Sequence, residues 1–322
     1  MKLESLKKGI GGIWGFLTHR YFLIMGVLLA VVLVILPALY YGGWKLYRVI
    51  DPMTFPHESK FVKNLKPSIS EKDKGAALAH ALTLRLQYEL DSRFGWSVND
   101  LYISPTRYFD RRNSRQMGVI YATRVLAEFF STDLAKYGQA DTEDKYLMKA
   151  RNQCFSYTED KWWMVATEDR YREGIDLFNK YALNLVANKA IYNMRTDDIY
   201  NLLILIVGPK CLDQPLGQLV QTSDGVPFSL IDDQIYFAQG VVLVVREFLH
   251  AMVNMYPEIV QKGGKQNIEI AFRDMDQICT FDPVIVLRGE RDSLLADHRG
   301  KMARYLVNVI ARIKDVAQSI NR

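Results

Sequence analysis

The longest apolar run in the chain, Tyr21 to Tyr41 (YFLIMGVLLAVVLVILPALYY), holds no charged side chain. As a helix rising 1.5 Å per residue it reaches about 31 Å, the thickness of a bilayer's hydrocarbon core, and it predicts a transmembrane span. The run is longer than the roughly 7–15-residue core of a cleaved signal peptide and no small-x-small site follows, so the span is expected to remain attached. Trp14, Tyr21 and Phe22 at one border, and Tyr40, Tyr41, Trp44 and Tyr47 at the other, supply aromatic belts. Upstream, Leu3, Leu6, Ile10, Ile13 and Leu17 recur at helical spacing between lysines, while Gly9, Gly11, Gly12 and Gly15 weaken any helix there.

Beyond the span the pattern changes. Residues 51–68 carry three prolines and no sustained period, a semi-extended linker. From Ser70-Glu71-Lys72-Asp73 onward, helical periods predominate and strand-like alternation is nearly absent. Helices are predicted from Glu71 to about Phe94 and over roughly 112–137, 142–156, 168–193, 196–207, 229–261, 264–279 and 290–320. Hydroxyl-acid-acid triplets at Thr142, Thr158, Thr167 and Thr196 read as helix starts, with a capping hydroxyl ahead of two carboxylates. The runs Ile199–Val207 and Val241–Val245 are too short to cross a membrane and read as buried core. Met302, Leu306, Val309, Ile313, Val316 and Ile320 form a seam that Tyr305 and Ile310 widen, and it is expected to pack into the domain's own core. The fold class expected is all-α: one N-terminal transmembrane helix followed by a bundle-like extracytoplasmic domain. Its parts are a basic cytoplasmic tail (1–20), the span (21–41), an aromatic exit and linker (42–68) and a helical domain (69–322).

Charge sharpens this division. Residues 1–50 hold six Lys or Arg and one acid, which accounts for the whole formal charge of +5 and leaves 35 basic and 35 acidic residues in the remainder. The excess flanks the span, where anionic headgroups attract it, and the neutral remainder gives no basis for nucleic-acid binding. Lys2, Lys7, Lys8 and Arg20 precede the span, and the basic residues after it are offset by Asp51 and Glu58. This bias is expected to place the N-terminus in the cytoplasm and the main domain outside it. Three scattered cysteines, Cys154, Cys211 and Cys279, fit neither a zinc ribbon nor a disulfide scaffold.

Catalytic signatures are missing. Glu247-Phe248-Leu249-His250 has the Glu-x-x-His spacing of di-iron bundles but no second copy, so a satisfied core or surface pair is expected. Lys262-Gly263-Gly264-Lys265 lacks the rest of a phosphate loop and reads as a turn. No catalytic residue, metal or cofactor is assigned.

The most distinctive segment is the connector after the first domain helix, with Trp96, Asn99, Asp100, Arg107, Asp110, Arg111, Arg112 and Arg115. So many aromatic, amide and charged groups off a helix face make it the candidate interaction loop, with the domain's own acids as the expected partners of its arginines. The Gly-Trp-x-x-Asn-Asp turn at Gly95–Asp100, Arg107-x-x-Asp110 and Gln116-x-Gly118-Val119 resemble an uncharacterised bacterial family of single-span inner-membrane proteins. The resemblance implies a bacterial inner-membrane location and carries no activity. The expectation is a membrane-anchored scaffold or interaction protein of the cell envelope, touching the lipid bilayer and other envelope proteins. A lipid- or ligand-binding helical domain, suggested by Phe129-Phe130 and Trp162-Trp163, and an enzyme are the alternatives.

Overall fold

The computed structural model of the chain describes residues 21, 23–50, 59–100, 110–136, 142–220, 228–287, 289 and 295–321. Among the described residues there are twelve helices and no β-sheet, the all-α architecture expected. Contacts divide the chain into two units, Met1–Pro52 and Met53–Arg322.

The first unit is built on one helix, α1, over residues 23–50. Its stretch Leu23–Gly43 is long and apolar enough to cross a membrane, and its side chains are left unburied, Leu33 and Val34 being 62% and 64% exposed. Val31–Ile35 forms a π-turn, in which the Leu36 amide bonds the Val31 carbonyl. The cause lies two residues on. Pro37 has no N–H to give the preceding turn and its ring crowds the carbonyl four residues back, so a widened turn relieves both without breaking the helix.

The second unit starts earlier than its linker-like sequence suggests. Ser59 caps the short α2 (Lys60–Lys63), Val62 is fully buried, and the Asn254 side chain donates to the Val62 carbonyl at 3.0 Å. The succeeding helices are α3 (Glu71–Asp91), α4 (Asp110–Phe129, extended by the π-turn Phe130–Leu134) and α5 (Lys145–Lys149, extended by Ala150–Phe155). They are followed by α6 (Thr167–Val186), α7 (Thr196–Val207), α8 (Asp213–Val220) and α9 (Phe228–Met255). The last three are α10 (Glu258–Gly263), α11 (Lys265–Cys279) and α12 (His298–Ile320). Helix α9 is the hub, packed against α3, α4, α8 and α11; α3 also packs on α6, and α12 on α7, α8, α10 and α11. By length and composition α9 would pass for a second span, yet from Ile235 to Met252 it is largely buried and serves as the core helix. The six seam residues of α12 are all at most 3% exposed, so that seam does pack internally.

Two glycines set the closest approach in the core. A Cβ on Gly118 of α4 would lie 2.1 Å from the Phe237 carbonyl oxygen, and one on Gly240 of α9 would lie 2.0 Å from the Arg115 carbonyl oxygen. Each helix thus uses a missing side chain to seat the other's backbone.

Several helix limits differ from the sequence expectation. Helix α6 stops at Val186 and not near 193, because Asn188 takes φ +58° and the amides of Asn188 and Lys189 close back on Leu185 and Asn184. This is a Schellman termination with asparagine in the left-handed position. Pro257 ends α9 at Met255 and separates it from α10. Helix α12 begins at His298, capped by Asp297; just before it the Ala296 carbonyl accepts from the Gly289 N–H, and the His298 N–H donates to the Leu287 carbonyl. Helix α8 falls outside the predicted ranges; Pro215 lies in its first turn, where an N–H has no intrahelical partner anyway. Of the cap triplets, Ser70 caps α3 as anticipated, but Asp144 rather than Thr142 caps α5. Thr167 and Thr196 lie inside their helices' first turns, and no helix follows Thr158.

Candidate functional site

Most of the described connector residues face inward. Trp96 is 4% exposed, its ring edge-on to Tyr171 at 5.0 Å, and its indole N–H donates to the Glu159 carbonyl at 2.9 Å. Asn99, also buried, donates to the Lys161 carbonyl at 2.9 Å and to the Glu168 carboxylate. Arg111 bonds Asp232 at 3.0 Å and the Pro283 and Val284 carbonyls. Arg112, fully buried, donates to Ser92 and to the Gly95 carbonyl. Arg115 grips both oxygens of buried Glu89, at 2.9 and 3.2 Å, and Gln116 joins them. Asp100 is half-buried and Asp110 opens α4, while Arg107 lies outside the described residues. The described arginines hold the domain's own acids and carbonyls.

Glu247 and His250 are likewise used internally. The Glu247 carboxylate accepts from Arg85 at 2.7 Å and from the Ser59 amide at 3.1 Å, and both side chains of the ion pair are buried. His250 stacks on Phe272 with ring centroids 3.6 Å apart. No cluster of three or more potential metal ligands occurs among the described residues. Burial, reinforced by the Arg246 charge and by the more distant Arg85 and Lys63, pushes the His250 pKa down to about 4; Glu247 opposes this only in part. The folded chain therefore binds this proton more weakly than the unfolded chain does. Stability is unaffected above about pH 6.5 and falls by about 3 kcal/mol in total as the pH drops toward 4. Urea denaturation of the full chain in mild detergent should show this slope, and His250→Gln should flatten it over that window. An unchanged slope in the variant would assign the acid sensitivity to other groups.

What Trp96 and Asn99 do becomes clear from the carbonyls they bond. Both belong to the loop over residues 156–166, between α5 and α6. Arg124 of α4 reaches the same loop, donating to the Phe155 and Tyr157 carbonyls and pairing with Glu159. The Thr167 hydroxyl lies 2.8 Å from the Thr158 carbonyl and 3.0 Å from the Lys161 carbonyl, and it accepts from the Lys161 amide at 3.1 Å. The Tyr157 hydroxyl donates to the Val165 carbonyl at 3.2 Å. Thr158 bonds Asp160 and caps nothing. Tyr171, whose phenol is raised well above its ordinary pKa by burial, donates to the Tyr157 carbonyl.

At the crest of this braced loop stand three apolar side chains: Trp162, 55% exposed, Trp163, 69%, and Met164, 86%. The two indoles stack at 6.2 Å with an interplanar angle of 23°. Met164 has φ +65°, a conformation unfavourable for a side chain of its size, and it is held there by the surrounding bonds. Three adjacent large apolar groups offered to water on a tied loop are the pattern of a contact surface. Sequence reading noticed Trp162-Trp163 as a pair but had no signal for exposure, because tryptophans next to a Thr-acid-acid triplet also fit the first turn of a buried helix.

A helical domain with a braced aromatic loop tip, on a chain with an unburied apolar helix of membrane length near its N-terminus, defines the class. The chain belongs to the bacterial family described as "Uncharacterized protein conserved in bacteria (DUF2333)", whose model matches residues 17–223, about two thirds of the sequence. The matched range takes in α1, the connector and the 156–166 loop. No curated protein and no solved structure matches the chain.

Proposed function

We propose that the protein is a membrane-anchored interaction module of the bacterial cell envelope, held by α1 with its N-terminus in the cytoplasm and its helical unit in the periplasm. Its outward contact is the Trp162-Trp163-Met164 tip. The observation that carries the reading is the bracing of that tip: Trp96, Asn99, Arg124 and Thr167 fix four loop carbonyls and that of Phe155 just before the loop, so the exposed apolar surface is presented in one shape. Preorganisation of this kind lowers the ordering cost of association.

The interior supports contact at the surface over lipid storage. Among the described residues, an apolar cavity between Leu203, Leu249, Phe272, Met275 and Ile313 holds about 20 Å³, room for one water and not for an acyl chain, and a larger recess of about 580 Å³ is lined by polar groups, Glu143, Asp144, Lys145 and Asn184 among them. Cys154, Cys211 and Cys279 are buried free thiols, their pKa values raised by burial to about 11, 12 and 11, which disfavours thiolate chemistry.

The test is photocrosslinking in intact cells with a photoreactive residue at position 164, compared with position 183, which is 70% exposed on α6. Adducts, to lipid or to protein, enriched severalfold at 164 are expected. Equal labelling at both sites would remove the tip as the contact. Retention of the full chain in membranes after alkaline carbonate, with a reporter after Arg322 active only in the periplasm, is expected of the anchor; release or cytoplasmic activity would overturn that part.

A further inference from the structure

The loop tip has a property that narrows its occupant. A backbone segment entering a low-dielectric medium must bring its hydrogen-bond partners with it, since unpaired carbonyls are costly there. On the two limbs of the 156–166 loop the carbonyls of Tyr157, Thr158, Glu159, Lys161 and Val165 are each bonded from within the domain, so only the crest backbone needs outside partners, which a shallow interfacial position supplies from headgroups and water. The side chains left over at the crest are two indoles and a thioether. Indoles favour the bilayer interface, where an apolar ring and one polar N–H are both accommodated.

Charge specifies the lipid. Beside the crest, Lys161 is offset by Asp160, and Asp169 is exposed at the start of α6. Glu159 is neutralised by Arg124, and Glu168 is held by Asn99. No cationic surplus favours an anionic headgroup here, and the remainder of the chain beyond residue 50 is balanced at 35 basic and 35 acidic residues. Proximity is provided by the chain. Eight residues, 51–58, link α1 to Ser59, a reach of at most roughly 28 Å, so a unit tethered by α1 meets a bilayer at high effective concentration.

We infer that Trp162, Trp163 and Met164 form a second, reversible membrane contact that inserts shallowly into the interface of a zwitterionic bilayer. The inference deepens the anchored reading above and depends on it. The tip holds the domain against the surface that α1 crosses, and anionic lipid adds nothing to its binding.

The test uses the full chain reconstituted in phosphatidylcholine vesicles, with and without phosphatidylglycerol. Met164→Cys provides a labelling site, since the three native thiols are buried. A nitroxide at 164 is expected to collide with oxygen severalfold more than with a water-soluble nickel chelate, and a nitroxide at Leu183→Cys is not. Adding Trp162→Ser and Trp163→Ser to the labelled chain should return position 164 to the aqueous ratio. A label at 164 as wet as that at 183, in protein that still resists carbonate extraction, overturns the tip contact and leaves the anchor standing. Insertion seen only with phosphatidylglycerol overturns the zwitterionic assignment, and a single defined protein adduct from position 164 in cells assigns the tip to a protein. Loss of the chain from the vesicles in carbonate instead signals failure of the anchored reading itself.

Discussion

Gly240→Ala is expected to destabilise the helical unit by roughly 3 kcal/mol or more. The new methyl would lie 2.0 Å from the Arg115 carbonyl oxygen and 2.9 Å from the Val119 nitrogen, both backbone atoms of α4. No side-chain rotation relieves such a clash; α4 and α9 must separate, and they form the most extensive helix pair in the fold. Gly118→Ala should act alike, because its methyl meets the Phe237 carbonyl of α9 at 2.1 Å. Once one alanine has forced the helices apart the second finds room, so the double variant should cost clearly less than the sum. Gly43→Ala is the control, an added methyl meeting nothing within 4 Å. Urea midpoints of the full chain in mild detergent, followed by circular dichroism, provide the measurement. If Gly240→Ala stays within roughly 0.5 kcal/mol of the control, the two helices do not cross at backbone contact.

Gly118 also shows how far the sequence could be read. It lies in the Gln116-Met117-Gly118-Val119 stretch that supported the family resemblance, and as a residue type it carries only a helix penalty; its partner Gly240 is 122 positions away. Features that depend on composition over a window were legible: the Tyr21–Tyr41 run, and the α12 seam, whose period alone identifies its buried face. Features that depend on distant partners were not. Arg115 could be matched with some acid but not with Glu89, and Trp96 and Asn99 find their carbonyls more than 60 residues away. The 156–166 loop was mistaken for a helix start because Thr158-Glu159-Asp160 has the right residue types. What decides against a helix is the competition for its backbone by Arg124 and Thr167, groups that arrive only with the tertiary fold. The 59–63 segment was assigned to the linker for a related reason, since its few apolar residues show no period and only docking reveals Val62 as core.

That docking rests on the Arg85–Glu247 pair, and breaking the pair should cost about 3–5 kcal/mol. Both partners are almost wholly buried, with side-chain exposures of 4% and 0%, so removing either strands the other's charge away from water. Burial alone would raise the Glu247 pKa, but the Arg85 charge and the bonds from Ser59 and Arg85 outweigh it and hold the carboxyl below its ordinary value. In the parent chain this group's stabilisation is present above the ordinary carboxylate pKa and is lost as the pH falls through the lowered folded value. Arg85→Met removes the Arg85 charge and bond and leaves only the Ser59 bonds against burial, so the folded carboxyl binds its proton more tightly than in the parent and the variant's deficit shrinks on acidification. Arg85→Met combined with Glu247→Leu should recover most of the loss, because a packed apolar pair no longer buries a charge. One deficit remains in that double variant. The Ser59 amide loses its acceptor, so amide exchange over residues 59–63 should accelerate even where global stability is restored. Equal protection of those amides in parent and double variant would show that Val62 and Asn254 dock the segment unaided. Faster exchange confined to them would identify Glu247 as the clamp that fixes where the tether ends and the folded unit begins.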